Sequence, residues 1–140
     1  MNKTPILISI LSFFSFDLYA QTAVENNIEA SFQSCLGQTN GNTMGISMCT
    51  EEYFISWDSL LNAEYQLLIN NIPRSDADRL RNSQRKWLET KELDHRFNVQ
   101  FSDRQEGTMW GYTNAYNAAQ STKYRALYLH AIRMDILRSN

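Results

Sequence analysis

The sequence predicts an all-α protein, a small helical bundle of about four helices with one disulfide. Three observations support this prediction. Apolar residues recur every three or four positions over long stretches, as they do on one face of an α-helix. Residues that interrupt helices are few, with five Gly and two Pro among 140 residues. No stretch alternates apolar and polar residues between hairpin turns, so a sheet is not expected.

The first twenty residues have the composition of a secretory signal peptide. Lys3 is followed by an apolar run from Ile6 to Phe16, and Leu18-Tyr19-Ala20 closes the segment. This apolar core is too short to span a bilayer as a mature helix, and no later segment is long and apolar enough. We expect cleavage after Ala20 or at a neighbouring bond, which leaves residues 21–140 as one periplasmic or secreted domain. No cysteine lies near this junction, so a lipid anchor is not predicted. A membrane span is not predicted either, because the apolar segments are too short.

The first helix of the mature chain is predicted at about Val24 to Leu36. It is followed by a polar stretch, Gly37 to Asn42, that contains two glycines. Such a composition is typical of a loop. We expect the segment from Gly37 to Met48 to protrude as a loop whose base is held by the cysteines beside it.

A long amphipathic helix is predicted from about Ile46 to Ile72. Its apolar positions fall within a sector of about 140° when successive residues are placed 100° apart. Pro73 cannot continue a helix, so this helix ends there. The apolar face consists of Ile46, Cys49, Tyr53, Trp57, Leu60, Leu61, Leu68 and Ile72.

Two further helices are predicted after the proline. Ser75 and Asp78 have the spacing of an N-terminal cap pair for the third helix, which should stop by Gly107. The fourth helix starts at Thr108 and, if unbroken, is longer than about 40 Å, so we consider a bend near residues 120–122. The apolar stripe of the third helix comprises Leu80, Trp87, Leu93, Phe97 and Phe101, and that of the fourth comprises Met109, Tyr112, Tyr116, Ala119, Leu127, Met134 and Leu137.

The chain contains two cysteines, Cys35 and Cys49, and both remain after the predicted cleavage. Because exported proteins usually keep such pairs oxidised, we expect a disulfide between them. Closing a loop of about 15 residues stabilises a fold by roughly 3 kcal/mol in the chain-entropy description. A zinc site formed by the two cysteines with His95 and His130 is disfavoured, since zinc-binding cysteines are usually closer in sequence. No metal and no other cofactor is predicted.

The sequence does not assemble the groups that an enzyme needs. The two thiols are expected to be oxidised, the pattern Gly-x-Ser-x-Gly is absent, and His95 and His130 stand 35 positions apart. We therefore expect a protein that is not an enzyme. The net charge of −2 also disfavours a nucleic-acid binder.

Charge is distributed unevenly along the mature chain. Residues 21–73 carry six acidic side chains and no Lys or Arg, whereas residues 74–140 carry twelve basic and eight acidic ones. One interpretation is that the acidic half attracts a basic partner and speeds its association. The other interpretation, which is the more common arrangement, is that neighbouring helices pair opposite charges across the bundle.

Five short motifs follow one another along the chain: Cys35, Cys49, Leu61-Asn62-x-x-Tyr65, Gln84-Arg85-x-Trp87-Leu88 and Thr122-x-x-Arg125. In this order they resemble the LprI-type lysozyme-inhibitor family, a group of small exported bacterial proteins, over about residues 30–130. Relatives usually have a second cysteine pair at positions where this chain has His95 and Asn117-Ala118. The joint absence of both cysteines is what the loss of one disulfide would leave, and Cys35–Cys49 is then the remaining bridge.

The matched residues are interpreted as structural. We expect Asn62, Tyr65 and Gln84 to join packed helices beside a buried Trp87. Arg125, one turn after Thr122, is expected to pair with an acidic residue of the second or third helix.

The resemblance implies a protein that inhibits lysozyme by binding to it. Animal-type lysozymes are strongly basic, which suits the acidic half of this chain. We expect the contact surface to include Asn40 and Asn42 in the predicted loop, with Glu51 and Glu52 at the start of the second helix, where acidic residues suit the helix dipole. Two alternatives stay open. One is an envelope protein that binds another cell-wall hydrolase or a wall fragment in a stress or immunity role, and the other is a cell-wall-active enzyme.

Overall fold

The structure, a computed structural model, describes residues 11–104 and 109–139. These residues form four helices and no strand: α1 (Leu11–Gln38), α2 (Thr43–Asn70), α3 (Arg74–Ser102) and α4 (Met109–Ser139). The predicted all-α architecture is confirmed. Residues 1–10 of the predicted signal peptide, and the predicted boundary residues Gly107 and Thr108, lie outside the described residues.

Three helices, α1, α2 and α3, begin earlier than the sequence predicts. α1 begins at Leu11 rather than near Val24, because no Gly or Pro interrupts residues 11–36 and the helix continues through the predicted cleavage point. Cleavage itself stays a prediction. α3 begins directly after Pro73, whose carbonyl accepts the first backbone hydrogen bonds of the helix. The predicted cap pair of Ser75 and Asp78 is therefore wrong.

The turn between α1 and α2 is much shorter than predicted. Asn40 and Gly41 have φ values of 49° and 76°, a left-handed conformation that reverses the chain within a few residues. The side chain of Asn42 accepts a hydrogen bond from the backbone N–H of Gly45 at 3.0 Å and so caps α2. The predicted protruding loop from residue 37 to residue 48 is wrong, because this cap starts α2 at Thr43 and most of the segment is helical.

The predicted disulfide is present. Cys35 in the last turns of α1 is bonded to Cys49 in α2, with 5.7 Å between their Cα atoms. The bond fixes the end of α1 against the N-terminal part of α2.

We expect the denatured, unreduced protein to contain no free thiol, because its two cysteines are bonded to each other. Thiol counting in denaturant, with and without prior reduction, should give none and two per chain. Two thiols before reduction, or a dimer that reductant dissociates, would contradict an intrachain bond.

The core is formed mainly between α2 and α4, which share the most extensive interface. The predicted apolar face of α2 is confirmed, since five of its residues are buried and Leu60 and Ile72 pack against them. α1 contributes Phe32, whose ring stacks on Tyr53 with 4.2 Å between centroids. The buried cluster consists of Phe32, Cys49, Tyr53, Trp57, Leu61, Leu68, Ala119, Ala126 and Leu129.

The apolar stripe of α3 is buried only in its N-terminal half. Leu80 and Trp87 pack against the core, whereas Leu93, Phe97 and Phe101 expose 63%, 67% and 44% of their surface. At 100° per residue the stripe drifts around the helix, so Leu93 points away from the bundle and Phe97 lies at its side. Phe101 contacts the ring of Trp110 in α4, with 5.8 Å between centroids. The prediction that Trp87 is buried is thus only partly right, because its side chain is half-buried.

α4 is one uninterrupted helix from Met109 to Ser139, and the bend considered near residues 120–122 stays a prediction. Thr122 is buried, and its hydroxyl donates to the carbonyl of Ala118 at 2.9 Å, which satisfies the hydroxyl within the helix. Ala119 and Met134 of the predicted apolar face are buried, while Leu137 is exposed. In the part of the chain that the structure describes, no helix combines the length and apolar character needed to cross a membrane.

Candidate protein-binding surface

Acidic residues of α1 are paired with a lysine of α4. Lys123 Nζ lies 3.0 Å from Glu25 Oε1 and 2.8 Å from Glu29 Oε1. The hydroxyl of Tyr53 in α2 donates to Glu29 Oε1 at 2.6 Å and accepts a hydrogen bond from Gln120 Nε2 at 3.1 Å. One carboxylate thus joins three helices.

Burial and hydrogen bonding shift the pKa values of two members of this network, Tyr53 and Lys123. Burial, together with the hydrogen bond to Glu29, raises the pKa of Tyr53 to about 12. Burial alone lowers the pKa of Lys123, but the bonds to Glu29 and Glu25 outweigh it and raise that pKa above its ordinary value. At neutral pH Tyr53 is therefore a neutral hydrogen-bond donor and Lys123 is charged.

A second carboxylate, that of Glu64 in α2, is buried against α4. Arg133 donates to it twice, from Nε to Oε2 at 2.7 Å and from a terminal nitrogen to Oε1 at 3.2 Å. His130 Nδ1 lies 2.9 Å from Oε1. Burial alone raises the pKa of Glu64, but these partners outweigh it and hold the pKa below its ordinary value. Glu64 is therefore an ionised group inside the bundle.

These pairs support each interpretation of the uneven charge for a different part of the acidic residues. Three of the six acidic residues of the N-terminal half form ion pairs between helices: Glu25, Glu29 and Glu64. Charge pairing across the bundle therefore accounts for half of the acidic residues. Asp58 accepts a hydrogen bond from Asn62 at 3.0 Å. Glu51 and Glu52 are exposed and form no ion pair with a residue of the described ranges. These two remain free to meet a basic partner.

The solvent-facing side of α2 is apolar beside these acidic residues. Met44, Met48 and Ile55 expose 75%, 60% and 53% of their surface. Together with Glu51 they lie within a sector of about 60° on the helix, opposite the buried face, and Glu52 borders them. Exposed apolar groups collected on one face are typical of interaction sites, and Met adapts well to varied partner surfaces. We call Met44, Met48, Glu51, Glu52 and Ile55 the α2 outer face.

Sequence reasoning found only the acidic part of this face. Its apolar residues follow from the spacing 44, 48 and 55, which places them opposite the stripe that contains Tyr53 and Trp57. The expected role of the helix dipole at Glu51 and Glu52 is wrong, because α2 begins at Thr43 and the two residues lie beyond its first turn. Asn40 and Asn42 are exposed next to the outer face, and the side chain of Asn42 is engaged as the helix cap.

Arg125 joins α4 to α3 through neutral partners. Its Nε donates to Gln84 Oε1, and a terminal nitrogen donates to Ser83 Oγ, each at 3.0 Å. The expected acidic partner of Arg125 is therefore wrong. The guanidinium lies 5.9 Å from the ring centre of Trp87, so Gln84, Trp87 and Arg125 form one contact between the two helices.

The remaining matched residues have different surroundings. Thr122 accepts a hydrogen bond from Lys91 Nζ at 2.8 Å and lies in the interface of α3 and α4. Tyr65 is half-buried against the core. Asn62 is exposed and bonds to Asp58 one turn earlier in the same helix, so it does not join helices as predicted.

The structure also shows where the two histidines lie, and where this chain has other residues in place of the second cysteine pair. His95 is exposed on α3, and His130 is buried on α4. Among the residues that the structure describes, no three His, Cys, Asp or Glu side chains converge as metal ligands. His95 and Asn117-Ala118 line the same cleft between α3 and α4, so the two substituted positions face each other across it.

Comparison with known proteins identifies the family. Residues 35–129 match the family described as Lysozyme inhibitor LprI. The chain is also similar to a solved structure of an uncharacterised protein from Burkholderia thailandensis, with a TM-score of 0.69 and 25% identity over 79% of this chain. The chain spans 55% of the length of that protein. No curated protein matches it. Because the family match covers most of its length, the chain belongs to the LprI lysozyme inhibitor family.

Proposed function

We propose that the protein inhibits a lysozyme by binding it through the α2 outer face. Family membership supports a lysozyme as the class of partner. The observation that carries the choice of surface is the exposure of Met44, Met48 and Ile55 beside Glu51 and Glu52, which form no ion pair within the described ranges. Interfaces commonly combine such an apolar centre with a charged rim. An acidic rim is complementary to a lysozyme of the animal type, which is strongly basic.

The proposed surface is held by a rigid support. α2 is anchored by the buried residues on its opposite face, and the Cys35–Cys49 bond fixes its N-terminal turns to α1. A surface that is already ordered loses little conformational entropy on binding. The short capped turn with Asn40 and Asn42 lies next to this surface and extends it.

Export and processing are part of the proposal. We infer that residues 1–20 act as a signal peptide and that residues 21–140 form the mature domain, outside the cytoplasm. Support comes from the charged start and short apolar run of the first twenty residues, and from the disulfide.

Replacing Glu51 and Glu52 by Gln together is expected to slow association with lysozyme several-fold at low salt and to flatten the salt dependence of the rate. Rim charges act mainly on association, and their long-range attraction is screened by salt. Association rates of both proteins should be measured at low and moderate ionic strength.

The matched control is the double change Glu89→Gln and Glu92→Gln, which alters the net charge equally on exposed residues of α3. An equal effect of the two double variants would show that only net charge matters. Unchanged rates in the α2 variant would reject this surface.

Incubating the protein with cell-wall substrate, alone and together with lysozyme, tests the function itself. Inhibition predicts that lysis by lysozyme falls and that the protein alone lyses nothing. Lysis by the protein alone would support a cell-wall-active enzyme. Unchanged lysis by lysozyme would leave another hydrolase or a wall fragment as the partner.

A further inference from the structure

A cleft with a volume of about 390 Å³ separates α3 from α4. On the α3 side it is lined by Lys91, Asp94, His95 and Asn98, which have the spacing i, i+3, i+4 and i+7 of one helix face. Helices that pack together usually meet through apolar residues at these positions. Here the facing positions are polar, and a space remains between the helices.

The α4 side of the cleft repeats the same spacing. Its lining residues are Asn114, Asn117, Ala118 and Ser121. Asn114 donates to Ser102 Oγ at 2.7 Å and so contributes to the contact between the helices. Ala118 and Ser121 are small, which leaves room in front of the polar groups of α3.

Several polar side chains in the cleft form no hydrogen bond with another described residue. Within the described ranges, no side-chain hydrogen bond is formed by Asp94, His95, Asn98, Asn117 or Ser121. Lys91 differs, since its Nζ donates to Thr122 and lies 4.5 Å from the ring centre of Phe54. The cleft thus offers a carboxylate, an imidazole, two carboxamides and a hydroxyl to a ligand.

We propose that this cleft binds a neutral saccharide. Hydroxyl groups of a sugar both donate and accept hydrogen bonds, as do the carboxamides of Asn98 and Asn117. Phe97, at the edge of the cleft, exposes 67% of its surface and offers a flat apolar face to the C–H side of a sugar ring. The volume lies at the lower end of the range for small-molecule sites.

The lining also argues against other ligand classes. Asp94 disfavours an anion and Lys91 disfavours a simple cation, because each ligand would meet a charge of its own sign. A purely apolar ligand would leave the unpaired carboxamides without hydrogen bonds, which is costly. This proposal is independent of lysozyme inhibition, because the cleft and the α2 outer face have no residue in common.

The test is an NMR titration of the exported protein, with its disulfide intact, using the β-1,4-linked disaccharide of N-acetylglucosamine and, separately, inorganic phosphate. We expect saturating amide shifts confined to residues 91–98 and 114–121, with a dissociation constant on the order of millimolar for the disaccharide. Phosphate should cause no such shifts. Absence of saturation, shifts centred elsewhere, or tighter binding of phosphate in the cleft would overturn the proposal.

Variants locate the binding groups. Asn117→Leu should weaken disaccharide binding at least fivefold, and Asn98→Asp, which keeps the shape of the side chain but removes its N–H donors, should also weaken it. The control Asn26→Leu changes an exposed residue of α1 and should bind as the wild type does. Amide spectra and unfolding temperatures report whether each variant is folded. Wild-type affinity in both folded cleft variants would contradict the assignment.

Discussion

Replacing Trp57 by alanine is expected to destabilise the protein by about 3–5 kcal/mol, as truncation of a buried aromatic side chain does. Trp57 has no exposed surface, and its ring packs edge-on against Tyr53 with 6.1 Å between centroids. Lys123 Nζ also lies 5.1 Å from the Trp57 ring centre. The loss is a large share of the stability of a small domain.

Trp87→Ala is the matched comparison. Trp87 is half-buried at the side of the bundle, so the same truncation should cost less than about 3 kcal/mol, the low end of the range for buried aromatics. Urea unfolding of both variants, with the disulfide intact, compares the two free energies of unfolding. Equal losses would show that Trp87 contributes to the core as fully as Trp57.

The helical fold was predictable because the dominant signal, apolar periodicity, is strongest in the helix at the centre of the core. The face of α2 from Cys49 to Leu68 was correctly identified, and the same spacing places the helix against α4. Periodicity was less informative for α3. Leu93, Phe97 and Phe101 continue the apolar pattern but stay exposed, although Phe101 also contacts Trp110 of α4.

The α1–α2 turn could not be placed from composition. Gly37 and Gln38 are helical although they begin a polar stretch, because helix ends depend on local backbone conformation and capping more than on polarity. The left-handed conformation of Asn40 and Gly41 and the cap at Asn42 together end one helix and start the next. Each residue type permits this geometry, yet none of them requires it.

Only part of the candidate site could be predicted from the sequence, for a similar reason. The acidic character of residues 21–73 was evident, but which acids remain free depends on which residues of α4 face them. Lys123 and Arg133 happen to lie opposite Glu29 and Glu64, and no described cation lies opposite Glu51. Such cross-helix pairing is tertiary information. The exposed methionines were missed because Met in an amphipathic helix more often belongs to the core.

Replacing Glu64 by Gln is expected to cost about 3–5 kcal/mol at neutral pH, as removal of one partner from a buried ion pair does. Glu64 is 6% exposed and receives both hydrogen bonds of Arg133. The neutral amide keeps the shape of the side chain but leaves Arg133 without the carboxylate. It also brings N–H donors toward groups that already donate.

The loss should depend on pH in a defined direction. The pKa of Glu64 is lower in the folded state than in the unfolded chain, so its contribution is fully present above the unfolded value of about 4.3 and disappears as pH falls through the folded value. Wild type and Glu64→Gln should therefore differ most near neutral pH and converge in acid. Glu89→Gln, which removes an exposed pair with Lys86, is the control and should cost about 0–1 kcal/mol. Parallel pH profiles for wild type and Glu64→Gln, measured by urea unfolding between neutral and acidic pH, would contradict a role for ionised Glu64 in holding α2 to α4.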